Sequence, residues 1–212
     1  MIISISGKAR SGKDTISDIL VKYYGYRKIS WADPMKMILS EALSIDLEDF
    51  YSDTKDDARE VAISAENAVK ILDILTETYG EVDNYTNVRL SLQNTTHKSI
   101  RELLQWFGTN ICRDMIDNEI WIKITLDSLD PSDLIVIPDA RMYNEREAIS
   151  KLGGVKILVQ RDTGISDNHV SENQLGNYKD YDVIVENDSC RAHLECDLLM
   201  WHSIAYPNIE RL

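Results

Sequence analysis

Polar and apolar positions alternate at the start of the chain. Met1-Ile2-Ile3-Ser4-Ile5-Ser6 reads as a strand, and Ile16, Ile19 and Leu20 then fall at helical spacing. The same alternation of short apolar runs and helical stripes recurs downstream. Arg27–Trp31 reads as a second short strand, and a helix follows with Pro34 in its first turn, running through Met37, Ile38 and Leu43. Residues 44–65 are acidic and weakly patterned. Ala68, Val69, Ile71, Leu72 and Leu75 predict a helix near 66–79 that stops at Gly80, and 81–98 reads as a polar loop or hairpin.

The second half has a clearer pattern. Ser99 and Glu102 have the spacing of a capping box ahead of Leu103, Leu104 and Phe107, and Gly108 follows. A helix is predicted over roughly 119–129. Leu134-Ile135-Val136-Ile137 is a continuous apolar run ended by Pro138-Asp139, the pattern of a strand buried on both faces. A helix over 143–152 ends at Gly153-Gly154, Val155–Val159 is the next strand, and 161–178 is polar and rich in turn formers. Tyr181–Val185 reads as the last strand and Cys190–Ala205 as the last helix. Strands alternating with helices in this way predict an α/β fold, a parallel sheet with helices on both faces. A chain of 212 residues suffices for one such domain with an inserted subdomain at about 44–98.

Between the first strand and the first helix stands Gly7-Lys8-Ala9-Arg10-Ser11-Gly12-Lys13-Asp14-Thr15. A G-x-x-x-x-G-K run in a strand–loop–helix context is a phosphate-binding loop. Its backbone N–H groups can face an anion, the helix N-terminus adds partial positive charge, and Lys13 can reach the outer phosphates. The hydroxyl usual directly after the lysine comes one place later, at Thr15. The G-K-x-T ending points toward small-molecule kinases. Asp14 has two readings, a charge favoured by the helix dipole or a carboxylate near Mg²⁺ or substrate phosphate.

Ligands of an open parallel sheet bind beyond the carboxyl ends of its strands. Asp139 and Arg141 stand at such an end, with helix capping as the alternative role for Asp139. Arginine's planar fork suits a phosphate gripped from one side, and Arg101, Arg113, Arg141 and Arg161 lie at or near element ends. His169 falls in a loop, with nucleotide contact and local capping as its two readings.

Bulk properties bound the partners. A net charge of −13 excludes a protein that coats nucleic acid, but not one that binds a nucleotide in a local basic cluster. No apolar run approaches a membrane span. Three cysteines without a C-x-x-C pair suit a reducing compartment, and the Cys190, His193 and Cys196 spacing offers no zinc site.

Several segments in order resemble the bacteriophage deoxynucleoside monophosphate kinase family. They are Ser11–Thr15, Ala32-Asp33-Pro34 with Lys36, Arg101–Gln105 with Gly108-Thr109, Trp121, Asp139-Ala140-Arg141 with Asn144-Glu145, and His169–Glu172. The resemblance implies a P-loop fold with a substrate subdomain and a lid at about 161–178. It implies ATP-dependent phosphorylation of a deoxynucleoside monophosphate with Mg²⁺, in the cytoplasm (the host's, if phage-encoded), and it is compatible with a homodimer.

By position, Gly7, Arg10, Ser11, Gly12, Lys13, Asp14 and Thr15 would hold ATP, with Thr15 and Asp14 toward the metal. Arg101, Glu102, Gln105, Gly108, Thr109, Trp121, Asp139, Arg141 and Glu145 would line the acceptor site. Lys13, Arg101, Arg141 and Arg161 would act on the transferred phosphoryl. Ala9 before Arg10, Met142-Tyr143 and the 44–98 segment depart from the family's pattern. Other small-molecule P-loop kinases (of dephospho-coenzyme A or phosphomevalonate), a non-catalytic nucleotide switch, and an interaction module with a decayed loop are the competing readings.

Overall fold

A computed structural model describes residues 1–161 and 178–212. The predicted lid and the His169–Glu172 segment therefore lie essentially outside the described residues. The chain forms two compact units, Met1–Trp31 with Leu129–Leu212, and Ala32–Ser128.

The first unit opens with β1 (Ile2–Gly7) and α1 (Lys13–Tyr24), and then β2 (Arg27–Lys28). Ile3 and Ile5 are fully buried, as their alternation predicts, and Ile16, Ile19 and Leu20 form the inner stripe of α1. Gly25 ends α1 in a left-handed conformation that returns its N–H to the Leu20 and Val21 carbonyls. The predicted strand at 27–31 pairs over only two residues, although Ile29 still donates its N–H to the Val136 carbonyl at 3.0 Å.

The second unit runs through α2 (Asp33–Leu43), α3 (Leu47–Tyr51), β3 (Val61–Ile63), α4 (Ala65–Tyr79), α5 (Tyr85–Leu92), β4 (Thr95–His97) and α6 (Ile100–Gln105), and closes with α7 (Ile120–Asp127). β3 and β4 pair antiparallel. Its core gathers Leu39, Phe50, Ile63, Leu72, Leu92, Leu103, Phe107 and Ile120 among others. Residues 44–98 share that core with α2, α6 and α7.

Two segments of this unit depart from the pattern read in the sequence. Residues 81–98 contain α5, whose buried Val88 and Leu92 are too short a stripe to announce a helix, and a strand that pairs with β3 rather than within its own segment. The helix carrying Phe107 runs on past Gly108. It widens into a π-helix over Trp106–Ile116. Gly108 serves packing instead, because a Cβ there would stand 2.7 Å from Met35 Sδ.

The chain then returns to the first unit with β5 (Ile135–Ile137), α8 (Tyr143–Lys151), β6 (Val155–Gln160), β7 (Val183–Glu186) and α9 (Arg191–Ala205). The sheet is all parallel in the order β2-β5-β1-β6-β7. α1 and α9 share one apolar cluster with Ile3, Ile5, Val136, Ile157 and Val159. Side chains alternate across a strand, so Ser4 and Ser6 face the other side, where Ser6 Oγ donates to the Ala140 carbonyl ahead of α8.

The connection from β1 leads past β5 to β2, whereas the connection from β5 leads past β1 to β6. Direction reverses between two neighbouring strands, and their carboxyl ends open a crevice between them. The loop Gly7–Gly12 leaves one of these ends, and Asp139–Met142 leaves the other.

Candidate active site

The loop between β1 and α1 wraps tightly. Gly7 has φ +155°, and a Cβ there would meet both Ser11 Oγ and the Val159 carbonyl at 2.6 Å. Gly12 caps α1 at φ +105°. Arg10 takes a left-handed φ of +60° without being glycine, a local strain of the kind that clusters at functional sites. Lys13 Nζ donates to the Gly7 carbonyl at 2.8 Å and the Lys8 carbonyl at 2.7 Å. The ammonium thus lies across its own loop, and Lys8, Arg10 and Lys13 make a local cationic patch on an acidic protein.

Thr15 is half-buried in the first turn of α1. Asp14 points elsewhere. Its carboxylate is largely exposed and accepts from Lys28 Nζ at 3.0 Å, and Lys28 also reaches Asp18 at 3.2 Å. Burial lowers the Lys28 pKa and the hydrogen bonds it donates to its two carboxylate partners raise it, for a net upward shift.

At the neighbouring strand end, Ser30 Oγ donates to Asp139 Oδ2. The next residues are fixed by their backbone. Glu145 is buried, and its Oε2 accepts the N–H of Arg141 at 2.8 Å and of Met142 at 3.0 Å. Arg146 is also buried. Its Nη1 donates to the Arg141 carbonyl at 2.8 Å, and its guanidinium carbon lies 5.5 Å from the centre of the Tyr181 ring. Arg141 is therefore held on both sides of its own residue while its side chain is exposed. Helix capping falls to Glu145 and the backbone of Met142, and Asp139 accepts from Ser30. Arg161 is exposed directly after β6.

The other predicted residues lie in the second unit. Arg101 makes a two-pronged pair with Asp56, Nε to Oδ1 and Nη2 to Oδ2, the latter at 2.9 Å. The Arg101 hydrogen bond holds the Asp56 carboxyl below the usual range, and the same bond raises the arginine. Glu102 bridges backward. Its N–H reaches Ser99 Oγ at 3.1 Å, and its carboxylate accepts from the Lys98 N–H at 2.5 Å. Gln105 and Thr109 are exposed.

Trp121 is buried, and its Nε1–H donates to the Gly108 carbonyl at 3.0 Å, so it sets the path of the π-helix that carries Thr109. Beside these, Lys36 lies 3.7 Å from the centre of the Tyr51 ring, and Tyr51 donates its hydroxyl to Asp33 at 2.7 Å.

Sequence reasoning passed over Ser30, Asp56, Arg146 and Asn187. Asn187 is buried after β7 and its Nδ2 donates to the Ser11 carbonyl at 2.8 Å. The rule that drew attention to Asp139, a polar residue at the carboxyl end of an apolar strand, applies equally to Asn187. Ser30 and Asp56 carry no such signal, because only tertiary pairing brings them to Asp139 and Arg101.

A parallel sheet with a glycine-rich loop of this sequence after its first strand and an acidic residue at the adjacent strand end defines the P-loop class of protein. The deoxynucleotide monophosphate kinase family matches this chain over residues 1–72 and 51–197, and the chain belongs to that family. The deoxynucleotide monophosphate kinase of Enterobacteria phage T4 is 26% identical, over 91% of this chain and 95% of its own length. That of Escherichia phage RB69 is 25% identical, over 91% and 96%.

Proposed function

We propose that this chain transfers the γ-phosphoryl group of ATP to the phosphate of a deoxynucleoside monophosphate, giving the diphosphate and ADP. Membership of a deoxynucleotide monophosphate kinase family gives the reaction class. The observation that carries the residue assignment is the pair of loops at the β1–β5 crevice, one cationic and glycine-bound, the other presenting Asp139 and Arg141.

In this reading ATP phosphates replace the Gly7 and Lys8 carbonyls as acceptors for Lys13, and the N–H groups of the loop, with Gly7, Arg10, Ser11 and Gly12, cradle the chain. Arg141 and Arg101 grip the acceptor phosphate, and Arg161 acts on the transferred group. Glu102, Gln105, Gly108, Thr109 and Trp121 shape the acceptor site, Glu145 fixes the Arg141 backbone, and Asp139 contacts the sugar or orients Arg141.

The Thr15 hydroxyl, half-buried in the first turn of α1, is a hard oxygen donor of the kind Mg²⁺ takes. That ion, when bound, neutralises charge on the ATP phosphates. Thr15 would hold it. Asp14 would have to leave Lys28 to reach it.

Phosphoryl transfer asks the protein for alignment and charge neutralisation. No general base is needed, because the attacking phosphate oxygen is already ionised at neutral pH. Among the described residues no helix is long and apolar enough to cross a membrane. The reading is of an enzyme acting on free nucleotides in the cytoplasm, and the family resemblance is compatible with a homodimer.

An ADP-release assay with Mg²⁺ and ATP against a panel of nucleoside and deoxynucleoside monophosphates tests it. Turnover dependent on a deoxynucleotide is expected. No turnover with any of them defeats the reading.

A further inference from the structure

We infer that Asn187 is a positioning residue for the phosphate loop, setting the direction in which the Gly12 N–H points. This rests on the reading of Gly7–Thr15 as the site of the ATP phosphates. Asn187 is 6% exposed and stands at the carboxyl end of β7, two strands from the loop. Its own N–H donates to the Gln160 carbonyl at 2.8 Å, which ties it to the end of β6. Its side-chain Nδ2 then reaches over to the Ser11 carbonyl, also at 2.8 Å.

The consequence follows from peptide geometry. Ser11 C=O and Gly12 N–H belong to one planar trans peptide and point in opposite directions. Binding the carbonyl on the Asn187 side turns the Gly12 N–H away from Asn187. A donor that would otherwise rotate is thereby fixed before any anion arrives, and pre-organised donors lose less on binding.

Gly12 carries a second mark of the same contact. A Cβ there would lie 2.4 Å from Asn187 Nδ2, so the amide occupies the space a side chain would need. Gly12 is glycine both for its φ of +105° and to admit Asn187.

The test compares the full chain with its Asn187→Asp variant, which keeps the shape, removes the donor and sets an oxygen against the Ser11 carbonyl. Asn187→Ala serves as a second variant, and thermal melting checks that each is folded. Affinities are read for ADP and for inorganic tripolyphosphate, which has phosphates but neither base nor sugar. The Gly12 amide resonance is followed as each is added.

Loss of one buried hydrogen bond predicts that both affinities fall by about tenfold or more in a folded variant, while the KM of the monophosphate acceptor stays within about twofold. The Gly12 amide shift seen in the unaltered chain shrinks in parallel.

Unchanged tripolyphosphate affinity in a folded variant overturns the inference. A loss confined to ADP also overturns it, because Asn187 would then act on the base or sugar. If both variants unfold, the Gly12 amide of the unaltered chain decides alone. No shift on adding tripolyphosphate means that this N–H does not meet phosphate. The two affinities and the Gly12 amide shift do not depend on turnover, so a chain that binds ADP but phosphorylates no deoxynucleotide would defeat the proposed function and leave this inference standing.

Discussion

The hydroxyl of Ser30 donates to the carboxylate of Asp139, joining the ends of β2 and β5 at the edge of the crevice that β5 and β1 form. The donor comes from the residues after one strand and the acceptor from the residues after its neighbour. Their meeting depends on the parallel register that sets Lys28 opposite Val136. A hydrogen bond to a charged group is worth roughly 1.5–3 kcal/mol. Ser30→Ala is therefore expected to lower kcat/KM for the acceptor by about tenfold, with the KM for ATP unchanged. Steady-state kinetics with each substrate varied in turn checks this, and an equal effect on both substrates would place Asp139 elsewhere in the mechanism.

Asp56 should orient Arg101 rather than compete with phosphate. It occupies the Nε and Nη2 edge of the guanidinium, which leaves the Nη1 edge to reach an anion. Its carboxyl is held below the usual carboxylate range by Arg101, so the pair is intact above the ordinary aspartate pKa and is lost only as pH falls through that lowered value. Across any assay range near neutrality it is fully formed. Asp56→Ala is expected to raise the acceptor KM by about five- to tenfold, as loss of an orienting hydrogen bond predicts. A fall in KM instead would mean that Asp56 competes with the substrate.

Trp121 acts through the backbone. Its Nε1–H fixes the Gly108 carbonyl, and Gly108 makes room for Met35. Trp121→Phe removes the donor while keeping most of the ring, and is expected to cost about 1–2 kcal/mol of stability and to raise the acceptor KM. Urea unfolding and acceptor kinetics on the same preparation read both effects. Full stability with unaltered kinetics would refute the role.

Stability should fall on acidification. His202 is fully buried, stacked on Tyr24 with ring centres 3.7 Å apart, and burial lowers its pKa to about 4. Burial also lowers the His97 pKa. A histidine that resists protonation in the folded state but accepts a proton near pH 6.5 when unfolded makes the unfolded state the better proton binder between those values. Stability is then level above about pH 6.5 and drops as pH approaches 4, by up to about 3 kcal/mol from His202 alone. Urea midpoints at several pH values measure the fall, and an NMR titration of the His202 ring should show no protonation at pH 5.5. A midpoint near the free-histidine value would contradict the burial argument.

Thr15 and Asp14 should separate cleanly. Asp14 is paired with Lys28 at an exposed position, where ion pairs contribute about 0–1 kcal/mol. Asp14→Asn is expected to leave the Mg²⁺ requirement nearly unchanged, whereas Thr15→Val should raise the Mg²⁺ concentration needed for half-maximal rate by about tenfold or more. The reverse order would assign the metal to Asp14.

The sheet was legible because its strands announce themselves locally. Ile3 and Ile5 alternate with serines, and 135–137 is an apolar run buried on both faces. The phosphate loop was legible for the same reason, since its glycines, Lys13 and Thr15 are contiguous in sequence. What escaped was non-local. Asp56 and Arg101 are 45 residues apart, and Asn187 and Ser11 are 176 apart. Neither pair leaves a periodicity to read. α5 escaped because Val88 and Leu92 supply its whole buried stripe, and the π-helix because Gly108, by itself a stop signal, is there to let Met35 approach. The roles of Glu145 and Asp139 could be told apart only when the backbone donors of Arg141 and Met142 were seen to point at Glu145.

The central claim is that Lys13, lying across its own loop, is the cation that meets the ATP phosphates. The direct measurement is acceptor-dependent ADP release by Lys13→Ala beside the unaltered chain, with melting temperature as the control for folding. The account predicts turnover of at least one deoxynucleoside monophosphate by the unaltered chain, and a loss of about a hundredfold or more in the variant at unchanged stability. Full activity in a folded Lys13→Ala protein would contradict it.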